Sequence, residues 1–182
     1  FNTSNIFSIY DIIDKTTISP DSKRINNFNE FDQHIYISTD YGISVFNLDS
    51  LEFGDTFFIG ISGAQVRVAE TTVLGEYFYA ACKDFEGIKR SLISSNLIDF
   101  NNWSEVSSGS FHAILSVENS IYFSDQNKIY NIVNDIISEV FTSNEIIKDI
   151  RYISDSFIIT TQNNTSTYDI NFNIINTPII SS

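Results

Sequence analysis

One stretch constrains the fold more than any other: residues 33–48, QHIYISTDYGISVFNL, where two apolar runs flank a short polar turn. Ile35, Ile37 and Thr39 alternate with Tyr36 and Ser38, the period-two signature of a strand with two unlike faces. Asp40-Tyr41-Gly42 supplies turn chemistry, because Asp can hydrogen-bond its own backbone and Gly accepts the positive φ that a side chain resists. Ile43, Val45, Phe46 and Leu48 form a return run of β-branched and aromatic residues. A lone hairpin of this size is marginal in water. It must stack on copies of itself.

The copies are present. The doublet Ile35-Tyr36 returns as Phe78-Tyr79, Ile121-Tyr122 and Phe157-Ile158, at intervals of 43, 43 and 36 positions. A period of roughly 40–45 residues built only of short strands is that of a four-stranded propeller blade, whose strands are termed A to D from the axis outwards. Helical repeats of similar length would space apolar residues at i, i+3 and i+4, and these segments do not. The expected architecture is all-β: a β-propeller segment over residues 1–182, with about four antiparallel four-stranded blades that form part of a larger propeller. A closed four-bladed ring is the alternative.

Blades are expected over 25–61, 66–108, 111–141 and 146–179. In the first, strands are expected at Ile25–Phe31, His34–Thr39, Ile43–Leu48 and Thr56–Ile61. Residues 1–24 read as a partial blade, with strands at Asn5–Ile13 and Thr16–Ile18 before a turn at Pro20-Asp21-Ser22. An open arc would leave two apolar blade faces uncovered. At roughly 500 Å² each and ~25 cal/mol/Å², each face is worth about 12 kcal/mol, comparable to the whole stability of a domain.

With 42% apolar and 14% aromatic residues, the chain is ordered despite its many Asn and Ser. Ten Lys and Arg stand against 23 Asp and Glu, a net charge of −13. Such a chain repels phosphate backbones and anionic lipid, so nucleic-acid and electrostatic membrane binding are discounted. Cys82 is the single cysteine, which rules out an intrachain disulfide, and its place in YFYAAC marks it as a small buried residue. No run approaches the ~20 apolar residues of a membrane helix. Without a signal peptide or any methionine, the chain reads as a processed product or a piece of something longer.

Chemistry-bearing motifs are missing from the sequence: there is no Walker loop, G-x-G-x-x-G, H-E-x-x-H or nucleophile elbow. No catalytic residue, cofactor or metal site is assigned, and the chain is not expected to be an enzyme. His34 has Asp32 nearby but no further ligand at metal spacing, and Asp84-Phe85-Glu86-Gly87 holds too few acids for calcium. Trp103, with Leu97, Ile98 and Phe100, is expected to pack on a blade rim. Strands that run up and down through each blade put the B–C turns and D–A connections on one face. That face carries Asp40 and Tyr41, then Lys83, Asp84, Phe85 and Glu86, then Asp125 and Gln126. Exposed Tyr41 and Phe85 beside acids would suit stacking on sugar rings or gripping an extended peptide. The candidate ligand-face residues are therefore Asp40, Tyr41, Asp84, Phe85, Glu86 and Asp125.

Two resemblances add to this reading. Ser38–Ser44 resembles the start of the Asp-box turn of sialidase-type propellers, with Val45 at its Trp position; that turn stabilises a hairpin and does not indicate catalysis. The second rests on Thr39-Asp40-Tyr41-Gly42-Ile43, Phe53-Gly54-Asp55-Thr56, Tyr79-Ala80-Ala81, Gly87-Ile88-Lys89-Arg90 and Asn96-Leu97-Ile98-Asp99 leading into Trp103. Over residues 35–111 these make the chain similar to the amino-terminal propeller region of PorZ-like surface proteins of the type IX secretion system, which are related to two-component-regulator propellers. The resemblance implies an exported, non-catalytic scaffold at the outer face of the outer membrane. It implies work with the sortase-type complex that attaches secreted cargo to anionic lipopolysaccharide. Implied partners are other secretion and attachment-complex proteins, with surface glycan or lipopolysaccharide as a ligand. The alternatives are a periplasmic sensor propeller of a hybrid two-component regulator and a glycan-active enzyme. No functional residue of the family carries over.

Overall fold

A computed structural model describes residues 10–176. Sixteen strands follow one another in four antiparallel sheets. The first holds β1 (Ile25–Phe31), β2 (His34–Thr39), β3 (Gly42–Asn47) and β4 (Glu52–Phe57). The second holds β5 (Val68–Leu74), β6 (Tyr77–Cys82), β7 (Ile88–Leu92) and β8 (Ser104–Ser107). The third holds β9 (Ala113–Val117), β10 (Ser120–Asp125), β11 (Lys128–Val133) and β12 (Ile136–Thr142). The fourth holds β13 (Ile147–Ile153), β14 (Ser156–Thr161), β15 (Thr165–Tyr168) and β16 (Ile174–Asn176). Each strand pairs with its sequence neighbour, so the sheets are the four blades of a β-propeller.

The repeated doublet explains how the blades stack. Successive side chains on a strand point to opposite faces, and the doublet puts one large residue on each. Phe78, Ile121 and Phe157 each face the preceding blade, while Tyr36, Tyr79 and Tyr122 face the following one. The two sets meet: ring centroids are 4.6 Å apart for Tyr36 and Phe78, and 4.9 Å for Tyr122 and Phe157. In the fourth blade the second member is Ile158, half-buried rather than buried.

Three buried clusters lie between successive blades. A further one lies on the outer face of the first blade, where Ile37 and Phe46 are covered by Ile12 and Ile18. The outer face of the fourth blade carries Ile158, Thr160, Thr165 and Thr167. No buried cluster forms on it among the described residues. The two outer faces therefore differ from the expected pair of apolar surfaces. One is apolar and covered; the other is rich in threonine.

Local chemistry sets the turns. Asp32-Gln33, Asn134-Asp135 and Ser154-Asp155 all have positive φ in two-residue loops, the backbone of type I′ hairpins. Gly42 sits at φ +146°, and a Cβ there would stand 2.4 Å from the Phe57 carbonyl oxygen. Only glycine fits that approach.

Residues 10–24, expected as strands of a partial blade, hold instead one helical turn, α1 (Tyr10–Ile13), and a 3₁₀ turn at Pro20–Ser22. The rest of the expected Asn5–Ile13 strand lies outside the described residues. Isoleucines in this segment carry a strand-like pattern, but their apolar groups plug the first blade's outer face rather than join a sheet. Lys15 Nζ ties the segment to β4 by donating to Thr56 Oγ1 at 2.9 Å. Strand D of the first blade lies at Glu52–Phe57 and not at Thr56–Ile61, because it pairs with β3 directly across a short turn. Trp103 packs edge-on against Phe78 at 5.9 Å and donates Nε1–H to the Leu97 carbonyl at 2.9 Å. Leu97 joins that cluster, whereas Ile98 stays exposed.

Candidate functional site

The inner strands carry the site. A β-bulge interrupts β1 between Ile25 and Asn27, β5 between Val68 and Glu70, and β13 between Ile147 and Asp149. The extra residues are Asn26, Ala69 and Lys148, at equivalent positions of three blades. A bulge leaves one residue outside the ladder and re-aims its side chain. All three line a cleft of about 270 Å³ at the propeller axis, on the face of the B–C turns. Arg24, Asn27, Glu70, Lys83, His112 and Arg151 complete its charged and polar wall, with Asp149 beside them.

Glu70 is the hub. It is 5% exposed and accepts from three other blades: from Asn27 Nδ2 at 2.5 Å, from the Ile114 N–H at 3.0 Å and from Arg151 at 2.6 Å. Burial pushes its carboxyl above the ordinary value, opposed by the Arg151 charge and the Ile114 N–H. Asn26 forms a second node: its Nδ2 donates to Asp40 Oδ1 at 2.8 Å and to the Val68 carbonyl at 2.7 Å, and its Oδ1 accepts from Lys83 at 3.2 Å.

The wall is positive in a strongly acidic chain. Four of the ten Lys and Arg residues, Arg24, Lys83, Lys148 and Arg151, face two acids. Both acids are held by Arg151, with its Nε 3.0 Å from Asp149. Arg24, Lys83 and Lys148 make no ion pair among the described residues. Burial lowers the Lys83 ammonium pKa, which Asp40 raises and the nearby Arg67 and Arg24 charges lower further. His112, on the rim, is likewise pushed below its ordinary value, first by partial loss of water and then by the charges of Lys83 and Lys148.

Of the six residues expected on the ligand face, none lines this cleft. Tyr41 corrects the expectation of an exposed ring: it is 0% exposed, donor or acceptor to Ser44 Oγ at 2.7 Å, and packed in the cluster that Ile12 and Ile18 close. An aromatic in a turn reads as exposed until the covering segment is known. Asp40 and Asp84 are brought together by Arg67, which lies 3.6 Å from the first and 3.1 Å from the second. Glu86 pairs with Lys89 at 3.2 Å, and Asp125 sits half-buried at the end of β10.

Phe85 is 83% exposed. Both it and Asp84 hold positive φ, with Asp84 N–H donating to Ser110 Oγ and Gly87 N–H to the Gly109 carbonyl. A bulky residue in that conformation is strained, and such strain persists only where the surroundings over-determine it.

Of the cleft residues, sequence reasoning places only Lys83 on this face, yet a further signal exists. Arg24 and Arg67 stand one repeat apart, each just ahead of an inner strand, and His112 holds the same place before β9.

Stacked four-stranded blades around a polar axial cleft define a β-propeller. The chain belongs to the family of the type IX secretion PorZ N-terminal β-propeller domain, whose model matches residues 2–104. Among solved structures it is similar to PorZ of Porphyromonas gingivalis, described as an essential bacterial surface component of the type-IX secretion system. That match has TM-score 0.62 and 14% identity, and covers 84% of this chain and 20% of PorZ. The extracellular domain of the hybrid two-component system BT4673 from B. thetaiotaomicron matches at TM-score 0.61 and 15% identity, over 83% of this chain and 22% of that one. The computationally designed protein Ika4 matches at TM-score 0.53 and 9% identity, over 81% and 91%. No curated protein sequence matches the chain. At these identities the structural likeness shows the fold alone, and the chain spans about a fifth of PorZ.

Proposed function

We propose that this chain is a non-catalytic binding and scaffold module of an exported surface protein, working in type IX secretion and in the attachment of cargo to the cell surface. The observation that carries the reading is family membership over residues 2–104. The description of PorZ as a surface component of that system supports the surface location. The geometry is compatible with a scaffold: apolar residues are spent between blades, while the turn face is polar and carries both the cleft and the raised Phe85 loop. Its partners are other proteins of the secretion and attachment complex, with surface glycan or lipopolysaccharide as a further ligand. No helix among the described residues is long and apolar enough to cross a membrane.

Deleting the gene in its source bacterium tests the reading. Cargo proteins should then leave the surface fraction, and affinity capture of the tagged protein should recover components of the secretion complex. Unchanged cargo display with no such capture would overturn it. The likeness to BT4673 favours a second reading, a sensor propeller of a two-component regulator. That reading predicts altered transcription on deletion, with cargo display intact.

A further inference from the structure

We propose that the axial cleft is a binding site for a small anion bearing a carboxylate or phosphate group, held by Arg24, Lys83 and Lys148. Three observations converge on it. The bulges of β1, β5 and β13 open the inner strands at one level and turn Asn26 and Lys148 towards the same space. The charge of that space opposes the rest of the molecule, since four cations gather there in a chain of net charge −13. Arg151 already satisfies both local acids, so Arg24, Lys83 and Lys148 are left without an ion-pair partner among the described residues.

Cations gathered in excess of their counter-charges repel one another, and an anion between them relieves that repulsion. Burial lowers both Lys83 and His112, and neighbouring cations lower each further, opposed by Asp40 and Asp84 at Lys83 and by Asp125 at His112. About 270 Å³ lies at the small end of ligand pockets, with room for a phosphate group or one acidic sugar ring. The site is independent of the secretion reading: a sensor propeller or a scaffold could hold it equally.

His112 offers a reporter and His34 an internal control. The chain has two histidines, and His34 begins β2, at the opposite end of its blade from the cleft. The experiment follows both imidazoles of the full chain by NMR across pH, alone and with inorganic phosphate, galacturonate or neutral galactose. Saturating anion should raise the His112 midpoint by about half a pH unit or more, as an opposite charge nearby does, and leave His34 unmoved. Response to phosphate alone assigns a phosphate ligand, and response to galacturonate alone assigns an acidic sugar. In the double variant Arg24→Gln, Lys148→Gln the anion concentration needed should rise about tenfold, the effect of ~1.4 kcal/mol. Neither cation holds the fold, so Trp103 emission should report an unchanged unfolding midpoint. No shift with either anion, an equal shift with galactose, or a shift that survives the double variant would each overturn the proposal.

Discussion

Replacing Phe78 with alanine tests the stacking scheme directly. Its side chain is fully buried between the first two blades, 4.6 Å from the Tyr36 ring and edge-on to Trp103 at 5.9 Å. Phe→Ala in a core costs about 3–5 kcal/mol, the spread reflecting how far the site can collapse. Here collapse is limited, because the walls are two hydrogen-bonded sheets whose strands cannot move singly. The upper half of that range applies, about 4 kcal/mol. For a chain of this size each kcal/mol shifts Tm by roughly 2–4 °C, so a fall of about 8–16 °C is expected. Urea unfolding followed by the emission of Trp103, the single tryptophan, reads the change as a lower midpoint at constant slope. Phe85→Ala serves as the control, since a ring that is 83% exposed should change stability by no more than about 0.5 kcal/mol. If Phe78→Ala lay within 1 kcal/mol of that control, the doublet would not be what holds the blades together.

Three further outcomes are expected. Burial pushes the Cys82 thiol up to about 12, so an aromatic disulfide reagent at pH 8 should leave it untouched in the native protein and label it fully in denaturant. Gly42→Ala forces a Cβ to 2.4 Å from the Phe57 carbonyl oxygen, and thermal melts should show a loss of about 1–3 kcal/mol. His112 has a folded value below its ordinary 6.5, so the unfolded chain takes up the proton first as pH falls. Its contribution is full above 6.5 and is lost as pH drops through the folded value; in urea titrations from pH 8 to pH 5, His112→Asn should show a shallower decline than the parent.

Strand positions were legible where one residue type served one face. β1 and β2 fall where they are expected, at Ile25–Phe31 and His34–Thr39. Ile12 and Ile18 misled because a strand and a plug both need isoleucine, and only the tertiary structure says which face is left to cover. Tyr41 misled for the same reason. The cleft was hidden by a different cause: its residues come from all four repeats, and a bulge has no signature in a hydrophobic pattern. Topology did place Asp84 and the prominent Phe85 on the face where the cleft opens, but the acids Asp84 and Glu86 there are held by Arg67 and Lys89.

The three bulges divide the blade into two independent vocabularies. Doublet residues are constrained by neighbours on both faces, so they can change only together. Lys148 occupies backbone that the ladder on either side already shapes, and its side chain answers to the cleft, while Asn26 also binds the Val68 carbonyl and Lys83 of the second blade and buried Ala69 keeps the equivalent position there closed. The Lys148 socket can therefore drift without disturbing assembly. One blade plan can serve many ligands, and a propeller can keep its shape while little of its sequence persists.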